Sequence, residues 1–196
     1  MEKYEISLVG VGGQGILTAA ELLAKCAMHD GHNVRVGEIH GMAQRGGIVQ
    51  SSVRIGKNVY GPIISEGMAD LIIGFEPVET LRGISFASEK TIVLLNEHIV
   101  YPTVVSMGKA KYPDMDFIKE SVSKFTSKIY SFNAMDLALK AGAPITMNLV
   151  LLGAAFKIGN IGLNKESMES IITKTFPERF KETNLKAFNL GYDYFK

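Results

Sequence analysis

The run Glu5-Ile6-Ser7-Leu8-Val9-Gly10-Val11-Gly12-Gly13-Gln14-Gly15 decides the fold. Five strand-forming residues end in a glycine-rich turn. From Ile16 to about Met28 apolar residues then recur at helical spacing, so the turn joins a strand to a helix. The helix stops near Asp30-Gly31, and Asn33-Val34-Arg35-Val36 begins a second strand. The intervening stretch of about 17 residues is long enough for a right-handed βαβ crossover. A Rossmann-like βαβ unit therefore opens a doubly wound α/β sheet.

A second glycine loop follows the second strand: His40-Gly41-Met42-Ala43-Gln44-Arg45-Gly46-Gly47. Glycine permits positive φ and close backbone approach, so two such loops after neighbouring strands would form one surface. Beyond it, Ile48 to Ile55 is a strand, and Gly56-Lys57-Asn58 followed by Val59-Tyr60 reads as a hairpin that makes the sheet mixed. Leu71 to Phe75 and Thr91 to Leu95 are continuous apolar runs suited to strands buried on both faces, with Pro77 starting a helix between them. Downstream, Pro113 to Phe125 reads as a helix and Lys128 to Phe132 as a strand. Ala134 to Ala141 is a helix ended by Gly142, and Met147 to Ile158 an apolar helix. Asn164 caps a further helix, and Pro177 separates it from a last segment, Glu178 to Phe195. No repeat or long linker interrupts the 196 residues, which are expected to form one domain, 1–196.

Composition limits the function. Lys+Arg 21 against Asp+Glu 20 gives a net charge of +1 without a basic run, which offers nothing to nucleic acid or to an anionic membrane. No apolar segment approaches the roughly 18 residues of a membrane span, and the N-terminus runs into a strand rather than a signal-peptide core, so a cytoplasmic location is expected. The single cysteine, Cys26, falls on the first helix as a small core residue. It cannot supply the thiolates of an iron–sulfur cluster, so redox chemistry would need a partner chain.

Gly10, Gly12 and Gly15 match the dinucleotide fingerprint, with Glu38 near the end of the second strand. Gly37 precedes that acid and a second glycine loop follows it, so three readings stay open: a dinucleotide site, a site for another phosphate-bearing group, or a structural tight turn. Arg45, between Gln44 and Gly46-Gly47, would set a guanidinium fork beside unhindered amides, suited to a carboxylate or phosphate; a salt bridge to another subunit or to Glu38 serves equally. His40 lacks an evident paired carboxylate. Glu76 and Asn96 end their strands; Glu76-Pro77, with Glu79 and Arg82 beyond, lies where ligands of open α/β sheets gather and reads equally as a helix start with a surface ion pair, and Asn148 reads as a cap or buried hydrogen-bonding residue.

Taken in order, these motifs resemble the beta (small) subunit of indolepyruvate:ferredoxin oxidoreductase and the gamma chains of the wider 2-oxoacid:ferredoxin oxidoreductases. The resemblance runs through Gly10 to Gly15, His40 to Gly47, Ser52 to Gly56, Ala69-Asp70, Glu76-Pro77, Ala134 to Asp136 and Asn148 to Gly153, and Met42 to Gly47 is its most specific block. It implies an α/β fold in the form of a three-layer α/β/α domain on a mostly parallel, mixed sheet, and a large alpha subunit carrying thiamine diphosphate, magnesium and [4Fe-4S] clusters. It further implies oxidative decarboxylation of aryl 2-oxoacids with coenzyme A as co-substrate and electron delivery to ferredoxin. This chain alone would hold no cofactor and no metal. Gly12, Gly13, Gln14, Gly15, Gln44, Arg45, Gly46 and Gly47 would contact the thiamine site, coenzyme A or the partner subunit. A gamma subunit for pyruvate, 2-oxoisovalerate or 2-oxoglutarate, and an independent dinucleotide-binding protein, are the alternatives.

Overall fold

The computed structural model describes residues 1–41 and 47–195. Strand β1 (Tyr4–Val11) leads through the glycine turn into α1 (Ile16–His29), and β2 (Val34–His40) is followed by β3 (Ile48–Ile55). After a loop come β4 (Leu71–Gly74), α2 (Pro77–Arg82) with a 3-10 turn at Gly83–Phe86, and β5 (Ile92–Asn96). Residues 97–114 contain only the short α3 (Thr103–Ser106); α4 (Met115–Ser123), β6 (Ile129–Phe132) and α5 (Ala134–Ala141) follow. The chain closes with α6 (Met147–Ile158), α7 (Lys165–Thr175) and α8 (Glu178–Tyr192).

Among the described residues the sheet has six strands in the order β2-β3-β1-β4-β5-β6. β1, β4, β5 and β6 are parallel, whereas β3 lies antiparallel to both β1 and β2. The sheet is mixed, as expected, but through a different hairpin. The strand partner of β3 is β2, joined to it by the second glycine loop, and residues 57–60 form no strand. The reason lies at Gly56, whose φ of +133° turns the chain beneath the N-terminus; a Cβ there would stand 2.3 Å from the Glu2 carbonyl oxygen. The Gly56 N–H bonds Asn33 O at 2.9 Å, and the segment leaves the sheet. β1 and β2 are consequently not neighbours, because β3 lies between them.

Alternation along the buried strands divides the core into two layers. Ile6, Leu8, Leu71, Ile73 and Leu94 face α1, α5, α6, α7 and α8, while Val9, Ile72 and Val93 face the 3-10 turn and α4. Each such side chain, fully buried, contributes about 1.5–3 kcal/mol. Helix α6 is buried along most of its length, and its Gly153 packs against α8: a Cβ would lie 1.9 Å from Phe188 O. Expected elements fell close to their observed bounds, and Gly142 ends α5 in the left-handed region at φ +119°. Asn164 precedes α7 but its side chain caps nothing; its backbone N–H instead donates to Asp30 Oδ2 at 2.8 Å, joining the start of α7 to the end of α1. The Glu79–Arg82 pair forms at 2.6 Å but is not a surface pair, since Glu79 is buried.

Candidate functional site

The carboxyl edge of β1, β4 and β5 is built around one carbonyl. Phe75 O, just beyond β4, accepts from Gln14 Nε2 at 3.0 Å and from Asn96 Nδ2 at 2.9 Å. Gln14 Oε1 takes the Val11 N–H at 2.9 Å, so its amide bridges the ends of β1 and β4. Asn96, fully buried, accepts from Ala134 N at 3.0 Å and His98 N at 3.2 Å, which fixes the start of α5 and the exit of β5. Low local dielectric and complete pairing make such a network rigid. Gly10 is obligatory beneath it: a Cβ there would lie 2.7 Å from both Gln14 Oε1 and Phe75 Cβ.

The two glycine loops do meet. The Gly12 N–H donates to Gly47 O at 2.9 Å, because β3 runs beside β1 and its register pairs Val11 with Ile48. Gly15 adopts φ +76° as the residue before α1, and a Cβ would stand 2.7 Å from Asn148 Nδ2. Asn148, buried at the start of α6, accepts the Leu149 N–H at 3.0 Å and donates to Gly15 O at 3.4 Å. Gly12, Gly13, Gly15 and Gly47 thus lie on one surface, whereas Gln14 is turned inward with both ends of its amide occupied. Gln44, Arg45 and Gly46 lie outside the described residues, as do the backbone and side chains of the rest of the Met42 to Gly46 segment.

A groove of about 1030 Å³ opens on this surface. Its walls are the first turn of α1, Gly41, Ile48 and Val49, the link from α5 to α6, and the turn from α7 into α8 with Arg179 and Phe180. A second cleft of about 420 Å³ lies across the Gly12-Gly13 ridge, bounded by His98, Val100, Met135 and Met147. Sequence reasoning missed Arg179, Asn184 and His98. Asn184 had a signal: Asn184, Ala187, Phe188 and Gly191 form the buried stripe of α8, and one of them is polar.

A third polar cluster lies behind α2. Glu76, buried, caps α2 through the Glu79 N–H at 3.0 Å and accepts the Tyr112 hydroxyl and the Val100 N–H, holding the 97–114 segment against the sheet. Burial, reinforced by the Glu76 carboxylate, pushes the Tyr112 phenol well above its ordinary range. Burial likewise raises Glu79, against the opposing pull of Arg82. Glu76 and Tyr112 are engaged in mutual contacts, whereas Glu79 pairs with Arg82 through Oε1 and its buried Oε2 has no hydrogen-bond partner among the described residues. Among the described residues no cluster of three or more His, Cys, Asp or Glu could hold a metal ion, and no helix is long and apolar enough to cross a membrane.

The geometry argues against a dinucleotide on the first loop. A dinucleotide fold sets the second strand beside the first so that its terminal acid reaches the ribose. Here β3 separates them and Glu38 is displaced by a strand, while Gln14 bridges the β1 and β4 ends where the two crossovers diverge. Comparison with known proteins gives the relation directly. The model of the pyruvate ferredoxin/flavodoxin oxidoreductase family matches residues 5–194. The chain belongs to that family. Within it, the chain is 45% identical over 192 residues to indolepyruvate oxidoreductase subunit IorB of Pyrococcus horikoshii, covering 97% of this chain and 95% of the relative. The crystal structure of pyruvate oxidoreductase subunit PORC from Thermotoga maritima has a TM-score of 0.76 and 25% identity, covering 98% and 96% of the two chains. A 2-oxoglutarate:ferredoxin oxidoreductase from Magnetococcus marinus, solved with 2-oxoglutarate, coenzyme A and succinyl-CoA bound, shares the fold at TM-score 0.72 and 19% identity. This chain covers 97% of itself and 30% of that longer chain. Family membership makes the chain a small subunit of a 2-oxoacid:ferredoxin oxidoreductase, an oxidoreductase component, and bears out the resemblance read from the motifs.

Proposed function

We propose that this chain is the small subunit of a cytoplasmic indolepyruvate, or aryl 2-oxoacid, ferredoxin oxidoreductase that converts its substrate with coenzyme A to an acyl-CoA and CO2. The observation that carries the reading is the 45% identity to IorB along 97% of the chain. The partner is a large alpha subunit, on which thiamine diphosphate, magnesium and [4Fe-4S] clusters supply the carbanion and electron-transfer chemistry, with ferredoxin as acceptor. The small subunit contributes binding surface, orientation and exclusion of water.

In this reading the ridge formed by Gly12, Gly13, Gly15 and Gly47 faces the partner. Its freedom from side chains permits close approach of a partner backbone or of the coenzyme A phosphates, and the uncapped first turn of α1 favours negative charge. Gln44, Arg45 and Gly46 extend the same loop, with Arg45 as the charged contact. Gln14 serves by holding the ridge in shape. Residues 1–196 act as one gamma-type domain.

Anaerobic reconstitution tests this. The chain alone, given thiamine diphosphate, magnesium, indolepyruvate and coenzyme A, is expected to reduce no viologen, and activity is expected to appear with the large subunit. Robust reduction by the chain alone would overturn the reading. Arg45→Ala is expected to keep a near-wild-type melting temperature while weakening partner association or raising KM for coenzyme A; a lost charge-assisted contact at an interface costs about 2–5 kcal/mol.

A further inference from the structure

On one side of the sheet, β2 and β3 have no described helix packed over them. Helix α1 covers them from the side of the larger core, where Val34 and Val36 stand opposite Ile55 and Val53. Alternation turns Arg35, Gly37, Ile39, Ile48 and Gln50 to the other side. There the cover is the loop after β3. Pro62 lies against Gly37, where a Cβ would stand 2.9 Å from Pro62 Cβ, and the Pro62 carbonyl takes the Ser52 hydroxyl at 2.6 Å. Ile64 dips from that loop into the smaller core, which leaves its neighbour Ile63 outside, 79% exposed, with Tyr60 at 84%. Ile39 is 67% exposed, and Ile48, diagonal to it across the β2–β3 register, is exposed too. Scattered apolar side chains are ordinary, but four large ones joined by one strand face and the loop lying on it mark an interaction surface. No described strand continues the sheet beyond β2, so its outer backbone edge is open as well.

We propose that this half-face is where the large subunit docks, so that the interface runs from the glycine ridge across Ile39, Ile48 and Ile63 to Tyr60. The inference rests on the reading that the ridge faces that subunit, and it names the further surface engaged. Continuity is the first argument. Ile48 follows Gly47, whose carbonyl takes the Gly12 N–H, so the apolar strip begins where the ridge ends. Size is the second. A stable interface takes about 800 Å² from each partner, more than four partly exposed side chains supply. A second copy of this chain seated on the strip alone would fall short, whereas a larger partner spans strip and ridge together. Charge is the third. Arg35 donates to its neighbour Val34 O at 2.9 Å, and neither it nor Lys57 has a carboxylate partner among the described residues. Both lie toward the amino edge of the sheet, at the end of the strip away from the ridge. The matching surface is therefore apolar along the strip and carries carboxylates where it meets Arg35 and Lys57. Tyrosine and arginine are also the residue types that dominate binding energy at interfaces.

Anaerobic measurement of the affinity of the full chain for the large subunit, with sedimentation of each alone and of the mixture, tests this. The double variant Tyr60→Ala, Ile63→Glu, altered only on the exposed loop, is expected to bind at least tenfold more weakly while melting as wild type does. Arg35→Glu is expected to lose at least tenfold at low salt and less at high salt, where screening weakens the lost ion pair. Met28→Glu, exposed on α1 and so on the opposite side of the sheet, is expected to bind as wild type does. Hydrogen exchange gives a reading that needs no variant: residues 57–63 and β2 are expected to gain at least tenfold protection in the complex. If the large subunit binds wild type and the folded double variant alike, or leaves that exchange unchanged, the docking face is wrong and the subunit reading stands. If the chain alone dimerises through Tyr60 and Ile63, and the large subunit does not displace the second copy, the occupant is a second copy and the proposal is overturned. A large subunit that binds no form of the chain overturns both the docking face and the subunit reading.

Discussion

Phe75 O takes two side-chain amides, and the geometry of the candidate site follows from that one acceptor. Gln14→Leu removes the bridge, leaving the Val11 N–H unpaired and Phe75 O with one partner fewer. A loss of about 1–3 kcal/mol is expected, measured as a lower urea midpoint at unchanged m-value. An unchanged midpoint would mean that water replaces the bridge and that Gln14 is free to contact a ligand after all. Cys26 makes a second case in which burial decides chemistry. Burial first, and then the nearby Asp30 carboxylate, push its thiol up to about 12. At pH 8 the thiolate is scarce and enclosed, so a disulfide reagent is expected to label native protein only at the rate of unfolding, and urea to release the full reactivity. Prompt labelling in the native state would contradict that enclosure.

Asp30 does for two helices what Gln14 does for two strands. Burial raises its carboxyl, but hydrogen bonds from the Asn164 N–H, from Ser167 Oγ and from His29 outweigh that and hold it below the usual carboxylate range. It therefore ties the end of α1 to the first turn of α7. A carboxyl whose folded pKa is depressed contributes stability that is present above the unfolded value near 4 and lost as pH falls through the folded value. Asp30→Asn is expected to cost about 1–2 kcal/mol at pH 7, and the gap from wild type to close as the pH falls below the folded value. A gap constant with pH would show that the contact does not depend on the charge. Glu79 has the opposite sign: burial raises it, so its ionised form weighs against the fold near neutral pH.

For the molecule entire, strand order decides which ligands are admissible. The inserted β3 moves Glu38 a strand away from β1, and the Gln14 bridge joins the β1 and β4 ends. Calorimetry with NAD+ or NADP+ is expected to show no stoichiometric site. A micromolar site that Gly12→Val destroys would restore the dinucleotide reading and require the loops to rearrange. The same β3 brings Gly47 within 2.9 Å of Gly12, so the strand that displaces the ribose acid also joins the two loops.

What the chain determined by local chemistry was legible in its order of residues. The period-2 and 3.6-residue patterns set strands and helices near their observed bounds, Gly142 stopped α5, and Pro77 opened α2. The Gly10 to Gly15 turn and the Met42 to Gly47 block were enough to suggest the family, and within the turn Gly10 and Gly15 leave no room for a side chain while Gly13 and Gly15 need positive φ. Pairing between distant segments was not legible. Strands β2 and β3 carry patterns compatible with several neighbours, and only the Gly56 turn beneath Glu2 sent residues 57–60 out of the sheet. The direction of Gln14, the burial of Glu79 and the place of Asn184 on the groove likewise arise where separate elements meet. A side chain's partners there are set by packing across long sequence separations, which no local period encodes.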